Sequence, residues 1–167
     1  MVTAGGAALT WLRWADGREG PARPDPVLAI CVDADGRVLL ARQWCQGPQR
    51  VVAEFPGGNT DPGETYEDAI RRELMEEVGL FPHRLTAIGR TLISTRRSGA
   101  GLRWFVATDL ERRSLPSDPG EEIAVEWVRP EEIDRRIAAG DLDSGSLLAG
   151  WALFRAIGPH AGWASGR

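Results

Sequence analysis

The chain has 167 residues, 43% hydrophobic and 26% charged, which suits one domain with a real core and leaves too little length for a second full one. A formal net charge of -4 and the absence of any block of like charges offer no general attraction to nucleic acid and point to a small-molecule partner. The sequence contains no lysine, so Schiff-base and lysine-base chemistry are excluded.

Residues 1–26, ending in PARPDP, are rich in Gly, Ala and Pro and read as an arm leading into the core. Their apolar run is broken by Arg13 and Asp16, too short for a signal peptide or a membrane span, which places the protein in the cytoplasm. Trp11 and Trp14 would cover either the domain's own core or a second subunit.

Residues 27–32 (VLAICV), the turn DADG and residues 37–44 (RVLLARQW) predict a hairpin, with Val32 opposite Arg37 and Cys31 opposite Val38. That register keeps Cys31 and Cys45 apart, and neither lies in a CxxC pair or near a histidine cluster, so neither a disulfide nor zinc is expected. Residues 51–55 form a short strand that runs through Pro56 into a glycine-rich stretch. Residues 84–94 and 102–110 predict two strands joined by TRRSGAG, and residues 123–128 another. Residues 130–139 form a helix with proline at its first turn. Residues 144–157 form a second, with Leu147, Leu148, Trp151, Leu153, Phe154 and Ile157 on its apolar face. Residues 159–167 are a tail. This order of elements is that of an α/β domain over residues 27–158, with helices on a mixed sheet.

Between the strands lies the stretch that carries chemistry. Thr65 followed three residues later by Asp68 is a capping pattern that starts a helix at Tyr66, and Gly79 suits its end. At 100° per residue, Tyr66, Ala69, Ile70, Leu74 and Val78 form an apolar arc; Glu73 and Glu77 point into its middle and Glu76 stands at its edge. Burying an unpaired carboxylate is costly. An i,i+4 pair with Arg72 accounts for Glu76, but no arginine stands on the side of Glu73 and Glu77. A divalent cation resolves this, and oxygen donors without His or Cys favour Mg²⁺, or Mn²⁺, over zinc. Magnesium completes its shell with water and phosphate oxygens, which implies a phosphorylated substrate. Gly57, Gly58 and Gly63 leave room for tight turns and close backbone approach.

Gly58, five residues, Glu64, seven residues and then Arg72-Glu73-Leu74-Met75-Glu76-Glu77-Val78-Gly79-Leu80 resembles a complete Nudix box. The resemblance implies a Nudix-like α/β/α sandwich around a mixed β-sheet, and hydrolysis of a nucleoside diphosphate linked to another group by water attacking phosphorus. It implies Glu73, Glu76, Glu77 and the backbone carbonyl of Gly57 as metal ligands, one glutamate doubling as base, Arg72 orienting a glutamate and Glu64 supporting the cluster. Nudix enzymes draw the base from the helix or from a later loop. Glu121 and Glu122 are the loop candidates, with two solvated acids as the competing reading, and Glu54 on the strand before the box is a further one.

RVLLARQW, AEFPGG, FVATDL and GDLDSGSLLAGWALF resemble the ADP-ribose pyrophosphatase branch, which implies ADP-ribose or a nucleotide sugar as substrate and, as the family expectation, a dimer. Arg96, Arg97 and Arg103, on or beside the TRRSGAG loop, are candidates for terminal phosphates, set against ordinary solvated arginines. Trp44 and Trp104 are candidates for stacking on a base, set against packing within their strands. A pool-cleaning enzyme for damaged nucleoside triphosphates would share the box and differ in its base pocket. A non-catalytic nucleotide-binding module would show a damaged box, and this one is whole.

Overall fold

The computed structural model describes residues 10–13, 19–22, 24–93, 99–117, 120 and 122–161, of which 10–13, 19–22 and 158–161 are described by backbone alone. The elements follow in the order β1 (Thr10–Arg13), β2 (Glu19–Ala22), β3 (Val27–Cys31), β4 (Val38–Cys45), β5 (Arg50–Glu54), β6 (Gly57–Gly58), α1 (Tyr66–Glu77), β7 (Leu80–Leu92), β8 (Gly101–Arg112), β9 (Ala124–Val128), α2 (Pro130–Ala138) and α3 (Gly145–Ala161).

One sheet has the order β6-β3-β8-β7, parallel between β3 and β8 and antiparallel elsewhere; a second has the order β5-β4-β9 and is antiparallel. The apolar runs explain the layering. All five residues of β3 are buried. Val27, Ala29 and Cys31 meet Ala69, Ile70 and Leu74 of α1, while Leu28 and Ile30 join Ile133 of α2 and Leu147, Trp151 and Phe154 of α3. β8 divides in the same way, Phe105 and Ala107 toward α1 and Trp104 and Val106 toward the other helices. Strand side chains alternate between faces, so a continuously apolar strand needs cover on both sides. The result is the α/β/α sandwich with a mixed sheet that the box implied.

Several sequence expectations shift. The DADG turn forms, with the Asp33 side chain accepting from the Asp35 and Arg37 N–H groups. The strands around it share a single bridge, Val32 to Val38, one residue out of the predicted register, and then enter different sheets. Two runs that are each covered on both faces satisfy their edges with other partners rather than each other. β1 and β2 form a hairpin inside the predicted arm, which the Gly-Pro pair in β2 conceals from a strand pattern. The packing of Trp11 and Trp14 lies outside the described residues. β7 and β8 are longer than predicted, and α3 runs through Ala161, past the start of the predicted tail. Leu148, assigned to the apolar face of α3, is 36% exposed.

One buried acid ties the start of β3 to the long hairpin. Asp25, 8% exposed, accepts from Arg90 at 2.5 and 3.0 Å, from the Gly101 N–H at 2.9 Å and from Arg103 at 3.1 Å. Arg90 and Arg103 stand directly opposite each other on β7 and β8, so Asp25 offsets a like-charge cross-strand pair. The Arg90 hydrogen bonds outweigh burial and hold the Asp25 carboxyl below its ordinary 3.8. A group with a lowered folded pKa stabilises above its unfolded value, and that contribution is lost as pH falls through the folded one. Asp25→Asn is therefore expected to cost about 2 kcal/mol at neutral pH, with the variant and parent curves converging as pH drops below 3.8. Urea unfolding across that range measures it.

Candidate active site

α1 begins where the capping pattern places it. The Thr65 hydroxyl oxygen accepts from the Asp68 N–H at 3.1 Å, and Val78 closes the helix before Gly79 at φ 65°. Ala69, Ile70 and Leu74 are buried, which turns the acid-bearing edge toward the glycine segment of β6.

Arg72 organises that edge. Its Nε and Nη2 donate to the two oxygens of Glu64, both at 3.1 Å; Nη1 donates to Glu73 and to Glu76, both at 2.9 Å; and Nη2 also reaches the Asn59 carbonyl at 2.9 Å. One planar guanidinium thus gathers three carboxylates and the loop before the helix, a geometry that lysine cannot supply. The Glu64 carboxyl is held below its ordinary value, chiefly by Arg72, and Arg72 is pushed further above its own, chiefly by Glu64. This corrects the expectation that no arginine serves Glu73: the long Arg72 side chain reaches across from its own helical position. The need for a cation at Glu73 is met in part by the protein itself.

The glycines fit these acids closely. The Gly57 N–H donates to Glu77 Oε2 at 2.8 Å. Gly57 has φ 145°, and a Cβ there would lie 2.0 Å from the Val27 carbonyl oxygen. A Cβ on Gly58 would lie 2.6 Å from the carboxyl atoms of Glu73. A side chain at Gly57 collides with backbone, whereas one at Gly58 would displace the Glu73 carboxyl.

Glu77 also lines a cleft of about 630 Å³, shared with Arg42, Trp44, Val51, Ser117 and Glu122. The segment after β8 is fastened to the end of α1, with the Leu115 N–H donating to the Met75 carbonyl at 3.0 Å and the Ser117 hydroxyl to the Glu76 carbonyl at 2.7 Å. Glu122, two residues before β9, lines the same cleft as Glu77. Glu121 lies outside the described residues, as do Arg96 and Arg97.

Other candidates are placed elsewhere. Glu54 accepts from the Ser144 and Ser146 hydroxyls at 2.7 and 3.1 Å, at the start of α3. Arg103 is engaged by Asp25 and lies over the Tyr66 ring at 4.9 Å. Trp104 is fully buried, donates to the Thr91 hydroxyl at 2.9 Å and meets Phe55 edge to face, so packing accounts for it. Trp44 reverses the packing expectation, being 64% exposed in the cleft. Arg42 and Ser117 were not singled out by sequence; Arg42 shares the alternation of Trp44 two residues later, which was the available signal. Cys31 and Cys45 are free thiols, and burial, with the Glu77 charge adding to it, pushes Cys31 up to about 12.

The donor set suits a hard divalent ion: carboxylates on one helix face, a backbone carbonyl on a glycine strand, and no His or Cys. Among the described residues no three acidic, His or Cys side chains converge on one point as ligands, because Arg72 and the Gly57 N–H hold the acids. Glu73, Glu76, Glu77 and the Gly57 carbonyl are the groups that would hold an ion, with Arg72 standing beside Glu73 and Glu76.

An acid-lined helix edge set against a glycine strand of a mixed sheet defines a pyrophosphohydrolase of the Nudix type. Residues 22–149 match the NUDIX domain, and the chain belongs to that family. Members generally use divalent metal ions and act on small nucleotide substrates.

Over 139 residues the chain is 30% identical to a CTP pyrophosphohydrolase of Escherichia coli K12, covering 80% of this chain and 95% of that protein. It is 34% identical over 112 residues to an RNA pyrophosphohydrolase of Aeromonas hydrophila, covering 63% and 61%. It is 29% identical over 113 residues to an ADP-ribose pyrophosphatase of Bacillus subtilis 168, covering 65% and 61%. The matches span about three fifths of the latter two proteins. The crystal structure of an ADP compounds hydrolase has the same fold, with TM-score 0.74 at 22% identity over 96% of this chain and 92% of that one. Among the described residues no helix is long and apolar enough to cross a membrane.

Proposed function

We propose that the protein hydrolyses the pyrophosphate bond of a nucleoside diphosphate linked to a second group, with ADP-ribose or a nucleotide sugar preferred, and that Mg²⁺, or Mn²⁺ in its place, is the ion used. The observation that carries this reading is the meeting of Glu77 and Glu122 in one cleft beside the Arg72-organised acids of α1. The ADP-ribose pyrophosphatase among the relatives supports the substrate class.

In this reading Glu73, Glu76, Glu77 and the Gly57 carbonyl hold the ion. A bound divalent ion supplies charge neutralisation on the phosphates and lowers the pKa of attacking water. Arg72 holds Glu73 and Glu76 in orientation, as outer partners of metal ligands do, and Glu64 anchors Arg72. Glu76, Glu77 and Glu122 are the candidates to take the proton of the attacking water, the first two from the helix and Glu122 from the segment before β9. Arg96 and Arg97 are proposed for the distal phosphates, while Arg103, the third sequence candidate, is held by Asp25; assembly as a dimer belongs to the same proposal.

The triphosphate reading is favoured by one specific observation, the match that covers 95% of the CTP pyrophosphohydrolase. A hydrolysis panel separates the two, run with and without Mg²⁺ on ADP-ribose, nucleotide sugars, dinucleoside polyphosphates, nucleoside triphosphates and an RNA bearing a 5′-triphosphate, with products identified by mass. ADP-ribose yielding AMP and ribose 5-phosphate at a clear advantage is the expected result. Pyrophosphate released from triphosphates in preference moves the protein to the second reading, and no turnover at all moves it to the binding-module class.

A further inference from the structure

We infer that Trp44 and Arg42 form the nucleoside-binding wall of the cleft, the indole stacking on the nucleobase and the guanidinium meeting the phosphate nearest the ribose. This deepens the proposed function and rests on its assignment of the cleft. The cleft is polarised: Glu77, Glu122 and Ser117 bring acid and hydroxyl groups, whereas Trp44, Val51 and Ile123 bring apolar surface. Trp44 is 64% and Val51 46% exposed, and the two stand directly opposite on β4 and β5. An indole left open in a cleft beside an apolar neighbour offers a flat face that any base can cover, a contact that does not depend on which base it is.

The same strand supplies the phosphate partner. Four buried residues, Val38, Leu39, Leu40 and Ala41, anchor β4, after which Arg42 and Trp44 emerge on one alternation. They are two residues apart on a strand rising about 3.3 Å per residue, a span of about 6.6 Å. β4 is the central strand of its sheet, paired with β9 at Arg42–Ala124 and with β5 at Trp44–Val51, so both positions are fixed before ligand arrives. Among the described residues the Arg42 guanidinium makes no hydrogen bond or ion pair, whereas Arg72, Arg90 and Arg103 are each committed to carboxylates. Its guanidinium is the one on β4 left to meet an anion entering the cleft.

Calorimetric titration with AMP, CMP, adenosine and ribose 5-phosphate tests this without requiring turnover. Trp44→Ala is expected to weaken AMP, CMP and adenosine about tenfold while leaving ribose 5-phosphate unchanged, and Trp44→Phe to recover most of the loss. Arg42→Ala is expected to weaken AMP and CMP but not adenosine. AMP and CMP binding as tight in Trp44→Ala as in the parent, or a change confined to the solution mass of the assembly, overturns the assignment, as does absence of nucleotide binding by the parent. If ADP-ribose is not hydrolysed but AMP binding still depends on Trp44, the substrate preference fails and the wall stands; the converse result does the opposite.

Discussion

Glu77→Gln is expected to abolish divalent-metal-dependent turnover, a loss of at least about 10²–10³-fold, the scale for deleting one group that acts directly on the transition state. The fold should survive, because the amide keeps an oxygen that can accept from the Gly57 N–H, the bond that Glu77 Oε2 makes at 2.8 Å. The decisive comparison is kcat against divalent ion concentration for parent and variant, with circular dichroism and thermal melting as controls. Full activity with unchanged ion dependence would remove Glu77 from the proposed metal site. Glu122→Gln in the same assay tests the loop candidate against Glu76 and Glu77 of the helix: a collapse of kcat with the ion requirement intact assigns the base to Glu122.

Arg72→Ala should be damaging in two ways. It removes five hydrogen bonds, to Glu64, Glu73, Glu76 and the Asn59 carbonyl, and leaves those carboxylates, between 13% and 25% exposed, facing one another. Breaking a partly buried ion cluster by removing one partner is expected to cost about 3 kcal/mol. Activity should fall roughly 10 to 100-fold, as for loss of a partner that orients metal ligands. Arg72→Lys keeps the charge without the fork and should restore stability more than activity. A structural ion pair alone would show the stability loss with kcat unchanged in the surviving folded fraction. Raising the divalent ion concentration is expected to recover stability in Arg72→Ala, because an ion bound by the folded state stabilises it by mass action.

The box was readable because its physics is local. Thr65 and Asp68 cap the helix within one turn, the arc of Tyr66, Ala69, Ile70, Leu74 and Val78 follows from a fixed angular step, and Gly79 adopts the positive φ that ends it. The expectation about Glu73 failed because a helical wheel treats each side chain as lying on its own radius, whereas an arginine is long enough to cross to the next. The DADG turn was right and its hairpin wrong for a related reason. A turn is set by a few consecutive residues, but which strand lies beside β3 is set by which apolar faces pack on α1, α2 and α3.

The class of chemistry is legible along the chain: a helix edge carrying Glu73, Glu76 and Glu77 beside a pair of glycines, in a domain whose doubly apolar strands demand helices on both faces. These features depend on spacing, and spacing is written along the chain. Which distant residues share the site follows from how the layers pack. That packing put Glu122 in the cleft with Glu77, sent Glu54 to the start of α3, buried Trp104 and left Trp44 open. Trp44 and Trp104 look alike in sequence, each an aromatic in a strand, but they differ in what the fold places over them. Trp104 lies beneath α3, where a Cβ added at Gly150 would approach its ring to 2.2 Å, and Trp44 stands near the free end of β4, where the core layers no longer cover the sheet. Cover is a property of the assembled layers, and the residues that supply it are far away in the chain.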